Sequence, residues 1–214
     1  YMFCEQHRLN TRQRNSVLKL KVATNTPDWE TRMRILGACT EELIADDEFG
    51  DGLPHWLMLE NVGVKAGMSR AKLRNAKPLP TTQLAGNAWM GVMGNCHWLE
   101  GLLANVVSER TNLKGYGKGT FKNHGWLGIE RLRWKKLFPH MTDADLKFFK
   151  IHNEADEIHS DLGWKNLAKH AKSLHMEDRL LELAEQNLAI WEVYLNGIGD
   201  AGDMLNKTLK KRKP

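Results

Sequence analysis

Phe148-Phe149-Lys150-Ile151-His152-Asn153-Glu154-Ala155-Asp156-Glu157-Ile158-His159-Ser160-Asp161 places two histidines and a carboxylate at offsets of four and three. On an α-helix those offsets return to one face, so His152, Asp156 and His159 project side by side over two turns. Phe149 and Gly163 continue the same stripe, which directs the trio toward the interior. Burying two imidazoles and a carboxylate costs several kcal/mol unless something pairs with them, and one bound cation pairs with all three. A single histidine on an apolar face is ordinarily a core residue with a hydrogen-bond partner. Three metal-capable groups in phase ask instead for a metal or a catalytic role.

The same kind of interruption recurs upstream. Residues 5 to 24 give a moderate helix signal, with Leu9, Val17, Leu18, Leu20 and Val22 as its apolar positions, and Thr26 or Asp28 can cap the next helix. From Trp29 to Phe49 the stripe Met33, Leu36, Thr40, Ile44 leads in phase to Glu48. Glu41, Glu42, Asp46 and Asp47 read as the solvated face around Glu48, with Glu41 nearest the core. Gly50-Asp51-Gly52-Leu53-Pro54 breaks this helix, and His55 opens another in phase with Met58, Leu59 and Val62. Thr81 to Leu113 is the longest periodic stretch, carrying Val92, Cys96, Leu99, Leu103 and Val106 and then Glu109 on one face. Trp126 to Leu137 reads as a helix. The central helix starts at a near capping box, Thr142 with Asp145, and is predicted to run to Leu174 with a kink allowed at Gly163. Met176 to Gly197 closes the pattern. Strand-like alternation is absent, so an all-α bundle is expected, one domain over residues 1–206.

A chain of 214 residues with 42% hydrophobic and 27% charged content can bury a sizeable core. No apolar run reaches the roughly 18 residues of a membrane span, and the first residues lack the apolar core of a signal peptide. Three dispersed cysteines, Cys4, Cys39 and Cys96, argue for a reducing cytoplasm. Of the net charge of +5, all five units sit at Lys207, Lys210, Lys211, Arg212 and Lys213, so 207–214 is expected to be a disordered basic tail on a neutral body. A neutral body lacks the basic face that nucleic acid needs. The glycine-rich stretch 114–125 lacks the Walker spacing and reads as a loop long enough to lie over a site.

Six groups therefore interrupt buried stripes: Glu48, His55, Glu109, His152, Asp156 and His159. Carboxylates that neutralise and bridge two irons, together with neutral imidazoles, are the inventory of di-iron sites in helical bundles. Glu-x-x-His pairs of the ferritin type are absent at these histidines. The order Glu48, six residues, His55, then Glu109, then His152-x-x-x-Asp156-x-x-His159 instead resembles the haem-oxygenase-like di-iron oxidases. That group shares its seven-helix fold with haem oxygenase, thiaminase II and the pyrroloquinoline-quinone synthase, and the resemblance spans about residues 30 to 195.

The resemblance implies a seven-helix haem-oxygenase-like bundle in which the six residues bind two Fe(II)/Fe(III) ions, with one or both glutamates bridging and O2 as co-substrate. It implies a small carboxylate substrate, an amino acid or derivative, and an oxidative outcome among C–H or C–N oxidation, desaturation, cyclisation, nitrile formation and C–C cleavage in natural-product biosynthesis. No catalytic residue is expected beyond the metal ligands, and a homodimer is compatible with it. A substrate carboxylate needs a cation, for which Arg110, Arg131, Arg133 and Lys165 are the candidates. Three rivals remain: a metal-free thiaminase-like hydrolase using Cys96, which otherwise reads as a packed thiol; a haem protein using His7; and a non-catalytic helical scaffold. His97 lines a pocket or packs.

Overall fold

The computed structural model describes the backbone of residues 1–116 and 118–211, and side chains except at 121, 153–160, 162 and 208–211. The described residues form helices and turns, with no strand among them. Met2–Arg12 (α1) runs through a π-helical segment, Gln13–Leu18, into Lys19–Asn25 (α2). Then follow Trp29–Leu43 (α3), His55–Lys65 (α4), Arg70–Arg74 (α5) and Pro80–Trp89 (α6), which passes through a second π-helical segment, Met90–Asn95. Trp98–Arg110 (α7), Thr120–His124 (α8), Trp126–Leu137 (α9), Lys147–Ser173 (α10) and Glu177–Lys211 (α11) complete the order. None of the described helices is long and apolar enough to cross a membrane.

α7 is buried from Trp98 to Leu103 on every side, as expected of a helix apolar all round, and it packs against α10, α11 and α2. α10 continues through Gly163 as one helix. A methyl group there would lie 2.6 Å from Val106 Cγ2, so the glycine lets α10 approach α7 closely.

The apolar core has two parts. One joins Leu18, Val22, Trp89, Leu99, Leu103, Leu167, Leu183 and Tyr194. The other joins Cys4, Leu59, Val62, Leu73, Leu127, Trp134, Phe148 and Phe149. Two chain segments serve both parts, and each carries its buried polar residues between them. Along α1–α2 these are His7, Arg8, Arg14 and Lys19, and along α10 the first is His152.

Four departures from the sequence pattern matter for the site. First, the π-helical segment re-aims α1–α2. An α-helix sets residues five apart about 140° away from each other, whereas i→i+5 bonding draws them toward one face. Arg14 and Lys19 are consequently both buried, while the expected core residue Val17 is 40% exposed. Second, α3 ends at Leu43 because Asp46 takes over the next backbone groups: its Oδ1 accepts from Phe49 N–H at 2.8 Å, and its carbonyl accepts from Gly50 and Gly52. The turn needs left-handed backbone at Asp51 and Gly52.

Third, the predicted helix from Thr81 to Leu113 is two helices. His97 Nδ1 accepts from Leu99 N–H and the Glu100 carboxylate accepts from His97 N–H, so His97 is a helix cap and α7 starts afresh. Cys96 is left exposed rather than packed on a stripe. Fourth, α11 continues past Gly197 to Lys211, so the first part of the expected disordered tail is helical, and 212–214 lie outside the described residues.

Candidate metal centre

His55 is the first residue of α4, held there by the extended Pro54 that precedes it, and it is buried. Its Nε2 lies 3.1 Å from Asp46 Oδ2. The carboxylate can only accept, so Nε2 carries a proton, and Nδ1 is the nitrogen turned to the other side, able to ligate once its own proton is lost. There Glu42 Oε2 stands 3.4 Å away, too poorly aligned for a hydrogen bond. His152 comes from α10, its ring centroid 4.6 Å from that of His55. Its Nδ1 donates to Phe148 O at 2.7 Å, which leaves Nε2 as the free ligand nitrogen. One ligand atom each from Glu42, His55 and His152 falls within 4.8 Å of the others.

Both histidines are thus oriented through their outer nitrogens, by a carboxylate in one case and a backbone carbonyl in the other, the arrangement that fixes metal-bound imidazoles. Glu42 Oε2 and His55 Nδ1 are buried without a hydrogen-bond partner. Orphaned buried polar atoms are costly, and two that face each other beside a third lone pair fit a cation. Two imidazoles and one carboxylate are also the donor set of mononuclear non-haem iron. The residues present therefore fit a metal ion.

The electrostatics agree. Burial alone would depress the His55 imidazolium, but Glu42 and Asp46 outweigh it and raise the pKa to about 10. Burial, and then the neighbouring His55, push His152 down to about 3. Glu42 would be raised by burial, yet His55 and Lys19 hold it at about 2. Without a metal, one proton on His55 is the local counter-charge, and a divalent cation would take its place.

Of the six residues predicted from sequence, His55 and His152 are brought together here. Glu48 is exposed in the turn after α3, and the carboxylate grouped with the two histidines is Glu42. The true inward stripe of α3 is Thr31, Cys39 and Glu42, with Ile35 partly buried, whereas Met33 and Ile44 of the expected stripe are 47% and 71% exposed. Glu42 and Asp46, expected on the solvated face, are therefore buried. Glu109 is buried nearby, but its Oε1 accepts from Lys19 Nζ at 3.2 Å and Asn105 Nδ2 at 2.9 Å. The side chains of Asp156 and His159 lie outside the described residues.

Glu42, Glu109 and His152 form one wall of a cavity of about 580 Å³, within the range of small-molecule sites. Buried His7 and half-buried Trp126 and Trp191 also line it, as do exposed Tyr116 and Lys118 of the glycine-rich connection. Arg14 also lines it. Its guanidinium is 5.0 Å from the Trp89 ring and 5.0 Å from the Trp191 ring, and Nη2 donates to Ala104 O and to Ser108 Oγ, each at 2.6 Å. Burial lowers its pKa only to about 10, so it stays charged. His7 donates or accepts at Nδ1 with Tyr194 Oη at 3.2 Å, and burial holds it neutral with a pKa of about 4.

Among the cations proposed for a substrate carboxylate, Arg110 lines the cavity and pairs with Asp161 at 2.7 Å. Arg131 pairs with Asp143, Arg133 pairs with Glu130, and Lys165 is exposed; none of these three lines the cavity. Cys96 is exposed and does not line it either, and burial together with Glu100 raises its pKa, so the thiaminase-like reading has no thiolate at this site.

No protein-family model matches this sequence, and no curated protein matches it. A crystal structure of a domain of unknown function with a haem oxygenase-like fold, from Shewanella denitrificans OS217, superposes with a TM-score of 0.74 at 16% identity, covering 100% of this chain and 82% of that one. The chain has a haem oxygenase-like, all-α fold.

Proposed function

We propose that this protein is a non-haem iron enzyme that uses dioxygen to oxidise a small carboxylate, an amino acid or a derivative of one. The observation that carries the reading is the facing pair of orphaned atoms, Glu42 Oε2 and His55 Nδ1, completed by His152 and bordering a cavity. Bound iron would supply the redox chemistry of dioxygen activation. The chain's own residues supply the rest. Glu42 neutralises part of the metal charge, Asp46 and the Phe148 carbonyl hold the two imidazoles in place, and the tryptophan-lined interior keeps water from the reacting groups.

Arg14 is the residue we assign to the substrate carboxylate, because it is a buried cation on the cavity wall with no carboxylate within ion-pair distance among the described residues. Arg110 and Lys118 add positive charge on the exposed side. A second iron, as the resemblance implies, would draw on Glu109 with Asp156 and His159. The neutral body and the concave cavity favour a small-molecule partner over nucleic acid or membrane.

Anaerobic loading with Fe(II), followed by oxygen uptake against a panel of amino and fatty acids, tests the reading. An amino acid should accelerate oxygen consumption in the wild-type protein and not in Glu42→Gln. A protein that retains no iron, or whose oxygen uptake no carboxylate alters, would sink it.

A further inference from the structure

Glu42 is used on both sides. Its Oε2 faces the two imidazoles, while its Oε1 lies 3.6 Å from Lys19 Nζ. The same ammonium is 3.2 Å from Glu109 Oε1. Lys19 is 3% exposed, and it does not line the cavity that both glutamates line. A lysine ammonium thus stands behind two buried carboxylates from α3 and α7, bridging them. It reaches that place because the π-helical segment Gln13–Leu18 immediately before it turns the start of α2 inward.

Two buried carboxylates this close need a positive charge between them, since in a low-dielectric interior their repulsion is poorly screened. In a two-metal centre the bridging metal supplies it. Here the chain supplies it covalently, at Oε1 of Glu42 and Oε1 of Glu109. The first position is different: Glu42 Oε2 and His55 Nδ1 have no hydrogen-bond partner, and Glu42, His55 and His152 each bring one ligand atom within 4.8 Å of the others.

We propose that Lys19 is the resident cation of the Glu42–Glu109 pair, so that the chain holds one metal ion tightly at Glu42, His55 and His152 and admits a second only by displacing the lysine. The inference rests on the metal-binding reading above and deepens it. It makes the two positions unequal by construction, with Lys19 setting the occupancy of the second.

The test is a count of Fe(II) per chain by anaerobic equilibrium dialysis, which does not depend on turnover. Wild type should saturate at one ion, with any second bound about a hundredfold more weakly, because a dication must approach a fixed ammonium. Lys19→Met should take up two ions over the same concentration range, and Lys19→Arg, which keeps the charge, should stay at one. Two equally tight ions in wild type, or a folded Lys19→Met protein that still binds one, overturns the proposal while leaving the metal reading intact. No ion in wild type overturns both. Should Lys19→Met fail to fold, Glu109→Gln decides: retention of the tight ion at unchanged affinity supports the assignment, and loss of that ion overturns it.

Discussion

Glu60 and Glu42 are both buried glutamates, 0% and 5% exposed, on the neighbouring helices α4 and α3, yet their surroundings differ in kind. Glu60 Oε2 accepts from Arg8 Nε at 2.8 Å, and Oε1 accepts from Arg70 at 2.6 Å and Arg74 at 3.1 Å. Burial by itself would raise its pKa, but the guanidiniums of Arg70 and Arg8 outweigh that and keep it low. Every oxygen of Glu60 is answered, so it serves as a structural anchor. Glu42 has one oxygen on Lys19 and one without a hydrogen bond, 3.4 Å from an imidazole nitrogen that also lacks one. One buried carboxylate is satisfied this fully while the other is left open, and that contrast supports the metal reading proposed for Glu42.

Breaking the two sites separately sharpens that contrast. Glu60→Gln should destabilise the fold by about 3 kcal/mol or more, because three guanidiniums lose their counter-charge around a buried position, while iron content stays normal. Thermal unfolding and metal analysis read both halves. Glu42→Gln should do the reverse, lowering iron affinity by at least about a hundredfold with a melting temperature close to that of metal-free wild type. Equal effects of the two substitutions on iron content would erase the distinction.

His7 extends the comparison to a buried polar residue satisfied in its neutral form. Its unfolded pKa is 6.5 and its folded one about 4. The unfolded state therefore binds the proton first as pH falls, so stability drops through the window from pH 6.5 to about 4 and levels off below it. The loss attributable to His7 is about 3 kcal/mol. Denaturant midpoints of wild type and His7→Gln across that window should diverge on the alkaline side and converge on the acid side. Arg14→Lys should raise KM for the carboxylate substrate about tenfold with little change in kcat, since lysine keeps the charge and loses the fork. The smallest effect is expected for Cys96→Ser, which should leave iron content and turnover unchanged. Loss of activity with full iron would return the exposed thiol to consideration.

The sequence alone determined the all-α class, the positions of most helices, and two of the three residues that converge, because His152 and His55 each sit in phase with long apolar stripes. It also led, through the order of its carboxylates and histidines, to the haem oxygenase-like fold. It could not show which carboxylate meets them. Glu42 and Glu48 are both near the end of α3, and the choice between them turns on where the helix stops, which Asp46 decides by capturing the backbone of its own turn. Nor could α-helical periodicity place Arg14 and Lys19 inside, because their inward aim depends on i→i+5 bonding in Gln13–Leu18. Local pattern specifies which face is apolar. Whether a charged residue can be buried depends on finding its partner from another helix, and only the tertiary structure brings Lys19 to Glu42 and Glu109, or Arg14 between two tryptophans.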